Sequence, residues 1–369
     1  MGVFRLAVAR FRWKLYKFFQ RLTLGRVAGW GCDTNMIYSL RMEMIDESVR
    51  RHVEEATVLA PAMVEDFSFP EDFPPDFIRT AAVPTRHLYR VRNVAVSVET
   101  GAMWIPGEKV LVESLGNNIH FYAWGGLIDV MRRPLRMGMA DPVVPCANLG
   151  YYHWLLDAMA QVLLARERVG SRVVVVVSSA ARRYVREGLR YFGIPDDRVV
   201  FCDGPIEVSE AVLVARNPDL AVIPRDNLRV LRDAVSRRVA DPQRTDRKIY
   251  VSRRLERNRA ILNEADVETL VRRFGFEVCY FERMSIEEQM QTMAEASVVM
   301  GVHGAGLSNI IAGRKDLKVV ELINPKWFNA CFAHLARQLG FDYRYLVLAQ
   351  RETGLAADLE GVESLLRAL

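Results

Sequence analysis

Residues 297–309 read Ser-Val-Val-Met-Gly-Val-His-Gly-Ala-Gly-Leu-Ser-Asn, an apolar run that leads directly into a glycine-bearing loop. The run at 297–300 predicts a buried strand, and the apolar segment that follows the loop at 301–306 predicts a helix. A strand, a glycine turn and a helix in this order are typical of a parallel α/β sheet, in which ligands bind at the carboxyl ends of the strands. This stretch therefore predicts an α/β fold with a site in the loop.

Strand and helix patterns alternate on both sides of this stretch. Further strands are predicted at residues 91–114 (with a turn at 99–101), 173–177, 208–215, 248–252, 276–281 and 319–323. Helices are predicted at residues 153–168, 180–192, 264–274 (capped by Asn263) and 285–296, where Ser285 and Glu288 have the spacing of a capping box. The five valines at 173–177 indicate a strand covered on both faces, as in a parallel sheet. The alternation predicts two α/β halves with a cleft between them.

The length of 369 residues favours two domains, because a single hydrophobic core rarely grows this large. The polar stretch at 240–247, which contains a proline, is a credible hinge. We therefore predict an N-terminal segment at 1–32, a first α/β domain at 33–239 and a second at 240–369.

The net charge of +5 is concentrated at the N-terminus. Residues 1–32 hold seven basic side chains and no acid, whereas the rest of the chain holds 43 basic and 45 acidic side chains. This near-neutral remainder argues against nucleic-acid binding as the main task, since that needs a broad basic surface. The apolar residues of this segment recur at helical spacing: Phe4, Val8, Phe11, Leu15, Phe18 and Leu22. They predict a basic amphipathic helix that either lies on an anionic membrane surface or docks on protein.

The five cysteines are sparse and scattered, without a C-x-x-C pair or the spacing of a metal site: Cys32, Cys146, Cys202, Cys279 and Cys331. Such a set predicts reduced thiols and a cytoplasmic location, with a peripheral position on the inner membrane face if the N-terminal helix binds lipid. The sequence contains no run of about 18 uncharged apolar residues, so it predicts no membrane-spanning helix.

The glycine loop has the chemistry of a phosphate site. Glycines let the backbone approach a ligand closely, and the N–H groups at a helix start favour anions. His303 could donate a hydrogen bond to a phosphate oxygen, the backbone of Gly304, Ala305 and Gly306 could approach it, and Ser308 or Asn309 could add a side-chain contact. The alternative is a tight turn chosen for packing alone.

Three charged residues follow or interrupt neighbouring predicted strands. Arg253 and Arg254 come directly after the strand at 248–252, where guanidinium groups suit bidentate phosphate binding, although surface solvation is the alternative. Glu321 lies inside the apolar strand at 319–323, where an acid is costly to bury unless something needs it. Its carboxylate could accept bonds from ribose hydroxyls, or it could pair with Lys318.

In the first half, His153 and Asp157 are four residues apart on a predicted helix, so they share a face. Either group, if it faces a cleft, could remove the proton from an acceptor hydroxyl. A buried pair with a purely structural role is the alternative on spacing alone.

Several other chemistries lack their motifs. The chain has no P-loop, no G-x-S-x-G elbow, no H-E-x-x-H and no ligand cluster with zinc spacing. It also lacks a D-x-D motif of the sort that metal-dependent sugar transferases use. A metal-independent mechanism is therefore predicted, with no metal site.

Together the segments resemble glycosyltransferase family 61, which includes bacterial proteins of capsular polysaccharide biosynthesis. The resemblance rests on N-x-x-x-x-H-W-x-x-D at residues 148–157, Lys-Ile-Tyr-Val-Ser-Arg-Arg at 248–254, and the loop at 301–309 followed by Val-Val-Glu-Leu at 319–322. It extends from roughly residue 91 to residue 345.

The resemblance implies a GT-B fold, in which two Rossmann-like domains face each other across a cleft, and an inverting transfer from a nucleotide-sugar donor, with a UDP-sugar expected. It implies that Arg253, Arg254, His303, Gly304 and Gly306 hold the diphosphate and that Glu321 holds the ribose. His153 and Asp157 become the general base and its partner, and we prefer Asp157 as the base. A nucleotide-sugar epimerase, another polysaccharide-modifying transferase and a non-catalytic membrane scaffold are the alternatives.

Overall fold

The computed structural model describes residues 49, 51–67, 69, 80–107, 110–115, 129–130, 132–217, 222–240, 245–256, 260–325 and 329–369. The predicted amphipathic helix at residues 1–32 lies outside the described residues. Among the helices that are described, none combines the length and the apolar character that a bilayer crossing requires.

The strands, in chain order, are β1 (Val53–Ala60), β2 (Met63–Asp66), β3 (Thr80–Val83), β4 (Arg86–Val96), β5 (Met103–Trp104), β6 (Leu135–Met137), β7 (Val143–Pro145), β8 (Val174–Ser178), β9 (Val199–Cys202), β10 (Ile206–Val214), β11 (Arg247–Val251), β12 (Phe276–Cys279), β13 (Ala296–Val302), β14 (Lys318–Ile323), β15 (Asp342–Val347), β16 (Ala349–Arg351) and β17 (Gly354–Ala356).

The first helix that the structure describes with its bounds, α1, spans residues 151–169 and consists of Tyr151–His153, a π-helical stretch Trp154–Met159 and Ala160–Val169. The other α-helices are α2 (Arg183–Tyr191), α3 (Arg225–Ser236), α4 (Glu264–Arg273), α5 (Ile286–Ala294), α6 (Cys331–Gln338) and α7 (Leu359–Arg367). Short 3₁₀ segments occupy Val112–Ser114, Asp196–Arg198, Phe281–Arg283 and Ala305–Ala312.

The first sheet is mixed. Its main strand order is β1-β4-β10-β7-β8-β9, in which β1, β4 and β10 are antiparallel and β10, β7, β8 and β9 are parallel. Tight turns join antiparallel neighbours, as at residues 97–102 between β4 and β5, whereas parallel strands need a helical crossover. Only the β10–β7–β8–β9 part therefore resembles the wholly parallel sheet of a Rossmann-like domain.

The second sheet is parallel throughout, with the order β12-β11-β13-β14-β15. From β11 the chain continues to β12 at one side of the sheet, and from β13 it continues to β14 and β15 at the other side. This reversal of direction is the doubly wound arrangement. In such sheets ligands bind outside the carboxyl ends of the strands where the order reverses. The fold therefore locates a candidate site after β11 and β13.

One apolar core lies between the two sheets. The largest buried cluster includes Val175 and Val177 of β8, Leu156 of α1, Phe332 of α6 and Val299 of β13. The described strands of the first sheet all precede residue 240 and those of the second follow it. The two halves pack directly on each other, and the exact domain boundaries stay a prediction.

The predicted elements are largely confirmed, with exceptions in one helix cap and after the glycine loop, where a 3₁₀ segment (Ala305–Ala312) takes the place of the predicted helix. The helices and strands predicted around residues 153–168, 173–177, 180–192, 208–215, 248–252 and 319–323 are all present within a few residues. The capping box of Ser285 and Glu288 has both of its reciprocal bonds. Asn263 takes the N-cap position of α4, but its amide bonds the main chain of Ala357 instead of the helix, so its predicted capping role is wrong.

Candidate functional site

The carboxyl ends of β11 and β13 bring Arg253 and Gly304 together, because the two strands are parallel neighbours. A Cβ atom on Gly304 would lie 2.1 Å from Nη1 of Arg253, so the guanidinium packs directly against the glycine backbone. Only glycine permits this approach without moving the arginine. The structure therefore joins two residues that are 51 positions apart in the chain into one cationic surface at the switch point of the sheet.

Two buried carboxylates from α4 support the loop that carries Arg253. Oε1 of Glu264 accepts hydrogen bonds from the main-chain N–H of Arg253 at 3.1 Å and from the hydroxyl of Tyr250 at 2.8 Å. Glu268 accepts from the hydroxyls of Ser252 at 2.8 Å and Tyr280 at 2.9 Å. Sequence reasoning missed both acids, although two glutamates four residues apart at a helix start after the Arg-Arg pair are a usable signal.

The negative charge of the Glu268 carboxylate is stabilised by neighbouring hydrogen-bond donors and cations. Burial by itself raises the pKa of this carboxyl, but hydrogen bonds from Ser252 and Tyr280, with the nearby charges of Arg254 and Arg272, bring it below its ordinary value. Arg254 reaches Oε2 of Glu268 at 3.4 Å while its side chain stays more than half exposed. Of the two predicted arginines, Arg253 therefore faces the glycine loop and Arg254 lies against α4.

His303 and Glu321 form a buried pair. The imidazole Nδ1 is hydrogen-bonded to Oε1 of Glu321, and the hydroxyl of Tyr343 donates to Oε2 at 2.6 Å. Glu321 has no exposed surface, and its alternative partner Lys318 instead bonds the carbonyl of Leu369. Both carboxylate oxygens thus already accept a hydrogen bond from a protein side chain. Glu321 would therefore affect a ligand indirectly, by orienting the ring of His303.

Tyr343→Phe should lower the free energy of unfolding by about 1.5–3 kcal/mol, because it leaves a buried carboxylate oxygen without its donor. Burial raises the pKa of Tyr343 well above its ordinary value, so the phenol stays protonated and donates at neutral pH. The matched control is Tyr191→Phe, since the buried hydroxyl of Tyr191 finds no hydrogen-bond partner among the described residues. Urea unfolding of both variants measures the difference, and an equal loss in the control would contradict the assignment.

The 3₁₀ segment Ala305–Ala312 follows the glycine loop, and it carries two further predicted contacts. Ser308 and Asn309 are both fully buried. Oδ1 of Asn309 accepts from the hydroxyl of Tyr151 at 2.7 Å, and its Nδ2 donates to Gln289 at 2.8 Å. Asn309 therefore connects the loop to the start of α1, and ligand contacts by Ser308 and Asn309 stay predictions.

His153 and Asp157 line one pocket in the first half, together with Tyr152, Leu156, Asn217, Val222, Ile223 and Pro224. Asp157 lies in the π-helical stretch of α1, a rare conformation that recurs at functional sites. Its Oδ1 accepts from Gln161 at 3.3 Å. Burial lowers the pKa of His153, so the imidazole is neutral at pH 7 and able to accept a proton.

Arg216 is a further residue that sequence reasoning missed. It follows β10, whose carboxyl end lies beside that of β7, and its neighbour Asn217 lines the pocket of His153 and Asp157. An arginine directly after an apolar strand was a usable signal, because the same rule had selected Arg253. The pairing of β10 with β7 could not be read from the sequence.

An aromatic run joins the two groups of residues. The ring of Tyr152 lies 5.0 Å from that of His153 and 5.5 Å from that of Phe332, and Phe332 lies 5.1 Å from His303. The lining of the first-half pocket is therefore connected to the glycine loop of the second half through Tyr152 and Phe332. Within the described part of the chain, no three His, Cys, Asp or Glu side chains cluster closely enough to hold a metal ion.

The fold and site define an α/β protein with an anion-suited loop at the switch point of a parallel sheet and an acid–imidazole pocket beside it. Residues 151–320 match the family model described as Glycosyltransferase 61, a range that includes His153, Asp157, Arg253 and His303. Over these residues the chain is similar to glycosyltransferase family 61, which confirms the resemblance seen in the sequence.

Two curated relatives share short segments with the chain. Beta-1,2-xylosyltransferase RCN11 of Oryza sativa subsp. japonica is 35% identical over 68 residues, which cover 18% of this chain and 13% of that protein. Beta-1,2-xylosyltransferase of Arabidopsis thaliana is 28% identical over 86 residues, which cover 23% of this chain and 16% of that protein. The aligned segments thus span less than a fifth of either relative.

Proposed function

We propose that this chain is a glycosyltransferase that moves a sugar from a nucleoside diphosphate donor to a hydroxyl of a glycan or other acceptor. The observation that carries the proposal is the guanidinium of Arg253 packed on the backbone of Gly304, at the switch point of the second sheet. A diphosphate is the ligand that such a cation and the adjacent main-chain N–H groups would bind. The match of residues 151–320 to the model of glycosyltransferase family 61 supports the same activity.

The donor fits the second half of the chain. Arg253 and the main chain at Gly304, Ala305 and Gly306 would hold the diphosphate, with Arg254 at the edge of the site. His303 would lie against the diphosphate, and we assign Glu321 the role of orienting that imidazole in place of the predicted ribose contact. We propose UDP as the nucleotide.

The acceptor would bind in the pocket of His153 and Asp157. Asp157 would take the proton of the acceptor hydroxyl as this oxygen attacks the anomeric carbon from the face opposite the diphosphate, which inverts the configuration. The neutral imidazole of His153 would orient the hydroxyl. Arg253 would stabilise the charge that develops on the leaving diphosphate, so the step would need no metal ion. The two sites would face one cleft of the GT-B type.

Thermal unfolding with UDP, GDP, CMP and ADP tests the proposal directly. A nucleotide at about 100 times its dissociation constant adds roughly 2.7 kcal/mol of stability. We expect a selective shift with UDP that persists in EDTA and does not grow with Mn²⁺. A shift that requires Mn²⁺ would overturn the metal-independent mechanism, and no shift with any nucleotide would favour the scaffold alternative.

We also propose a cytoplasmic enzyme of polysaccharide biosynthesis that contacts the anionic inner face of the membrane through residues 1–26. The basic, acid-free composition of this segment supports the contact. Sedimentation with anionic vesicles, before and after deletion of residues 1–26, is the measurement, and unchanged sedimentation of the truncated chain would exclude it.

A further inference from the structure

Arg86 is a buried arginine at the start of β4 that connects two other segments of the first half. Its side chain is only 2% exposed, and Nε and Nη2 donate to the carbonyl of Ala215, directly after β10, at 3.0 and 2.8 Å. Nη1 donates to the carboxylate of Asp226 and, at 3.0 Å, to Oδ1 of Asn227. The last two residues lie in the first turn of α3. Because a guanidinium is planar and its donors have fixed directions, these bonds set the start of α3 relative to the end of β10.

Asn227 extends this connection to helix α1. Its side chain is fully buried, and Nδ2 donates to the carbonyl of Leu156 at 2.9 Å. The partners dictate the orientation of the amide, since the guanidinium of Arg86 can only donate and a carbonyl can only accept. A side chain at this position must therefore accept a hydrogen bond on one side and donate one on the other.

The bond from Asn227 reaches the π-helical stretch of α1. Leu156 lies inside this stretch, immediately before Asp157. A side chain that enters the hydrogen-bond ladder of a helix is one of the causes of departure from regular α geometry, and π-helical turns are rare and recur at functional sites. Asn227 therefore holds the main chain of α1 at the residue that precedes the proposed base.

The same connection reaches each wall of the pocket of His153 and Asp157. Ala215 is two residues before Asn217, and Asp226 is two residues after Pro224, and both Asn217 and Pro224 line the pocket. Leu156 belongs to the lining itself. The end of β10, the start of α3 and the middle of α1 thus share one buried polar network behind the pocket.

We propose that Asn227, held by Arg86, is a positioning residue for Asp157: its amide fixes the π-helical stretch so that the carboxylate lines the acceptor pocket. Neither Asn227 nor Arg86 is among the described residues that line this pocket, so both act through the main chain of α1. The inference rests on the proposed function for its catalytic meaning. The hold on α1 exists without any substrate and can be measured separately.

Amide hydrogen exchange followed by mass spectrometry tests the hold on α1. Asn227→Asp keeps the shape of the side chain and the acceptor for Arg86, but its carboxylate cannot donate to Leu156. Peptides from the π-helical stretch should exchange about tenfold faster than in the wild type, since loss of one hydrogen bond favours local opening. Asn263→Asp is the matched control, because it removes an amide donor from the carbonyl of Ala357, also at 2.9 Å, and should leave the exchange of α1 unchanged.

A double-mutant cycle with Asp157 tests the catalytic part. With Asp157 present, Asn227→Asp should lower kcat by about 10–100-fold, the cost of a displaced reacting group, while the dissociation constant of the donor nucleotide stays unchanged. In the Asp157→Asn background the same change should alter kcat by no more than about twofold, because the base that Asn227 positions is already absent. A role confined to folding would lower kcat equally in both backgrounds.

Unchanged exchange of α1 in Asn227→Asp, or equal losses of kcat in the two backgrounds, would overturn the inference. If Asn227→Asp does not fold, Asn227→Leu, which has a similar shape and adds no charge, decides by the same two measurements. Absence of transfer by the wild-type chain would contradict the proposed function, and the exchange measurement would still decide whether Asn227 holds the helix.

Discussion

Asp157→Asn is expected to lower kcat by about 10²–10⁴-fold, the range that a positioned general base contributes. The amide keeps the shape of the side chain and its place in the π-helical stretch of α1, but it cannot accept the proton. The dissociation constant of the donor nucleotide should stay nearly unchanged, because Asp157 lies in the pocket of the first half and Arg253 lies at the end of β11. Single-turnover kinetics and calorimetric donor binding separate the two effects.

Asp233→Asn is the control for this change, since Asp233 is an exposed acid on α3 whose partner is Arg229. It should alter neither kcat nor donor binding. Equal losses of donor affinity and turnover in Asp157→Asn would argue against a role confined to proton transfer. A larger loss in His153→Gln than in Asp157→Asn would instead assign the base to the imidazole.

Gly304→Ala is expected to weaken donor binding by about 10–100-fold, the effect of losing one charge-assisted hydrogen bond worth roughly 1.5–3 kcal/mol. The new methyl group would lie 2.1 Å from Nη1 of Arg253, so the guanidinium must leave its position on the loop. Arg253→Gln should give a similar loss. The double variant should lose little more than either single one, because both changes remove the same contact.

Gly138→Ala provides the matched control, because among the described residues no heavy atom beyond its two chain neighbours lies within 4 Å of the Cβ that it would add. Calorimetric titration of each variant with the nucleotide measures the change in the dissociation constant. Additive losses in the Gly304→Ala/Arg253→Gln double variant would show that the two residues act independently, and unchanged affinity in Gly304→Ala would remove Arg253 from the donor site.

Most of the regular structure could be predicted from the sequence because its causes are local. The valine run at 173–177 becomes β8, paired on both sides with parallel strands, and Ser285 with Glu288 forms the predicted capping box. The turn near residues 99–101 forms where Gly101 supplies a positive φ. Asn263 failed as a capping side chain because a distant partner, Ala357, competes for its amide.

The sequence by itself determined the alternation of strands and helices, the glycine loop and the His153–Asp157 spacing, because these depend on neighbours a few residues apart. Only the tertiary structure decided that β10 joins β7, that Asn217 lines the pocket of His153 and Asp157, and that the carboxylate of Glu321 bonds Tyr343. These depend on which strands lie side by side and which buried polar groups find partners. Such choices balance desolvation against contacts between distant segments, and no local pattern in the chain encodes them.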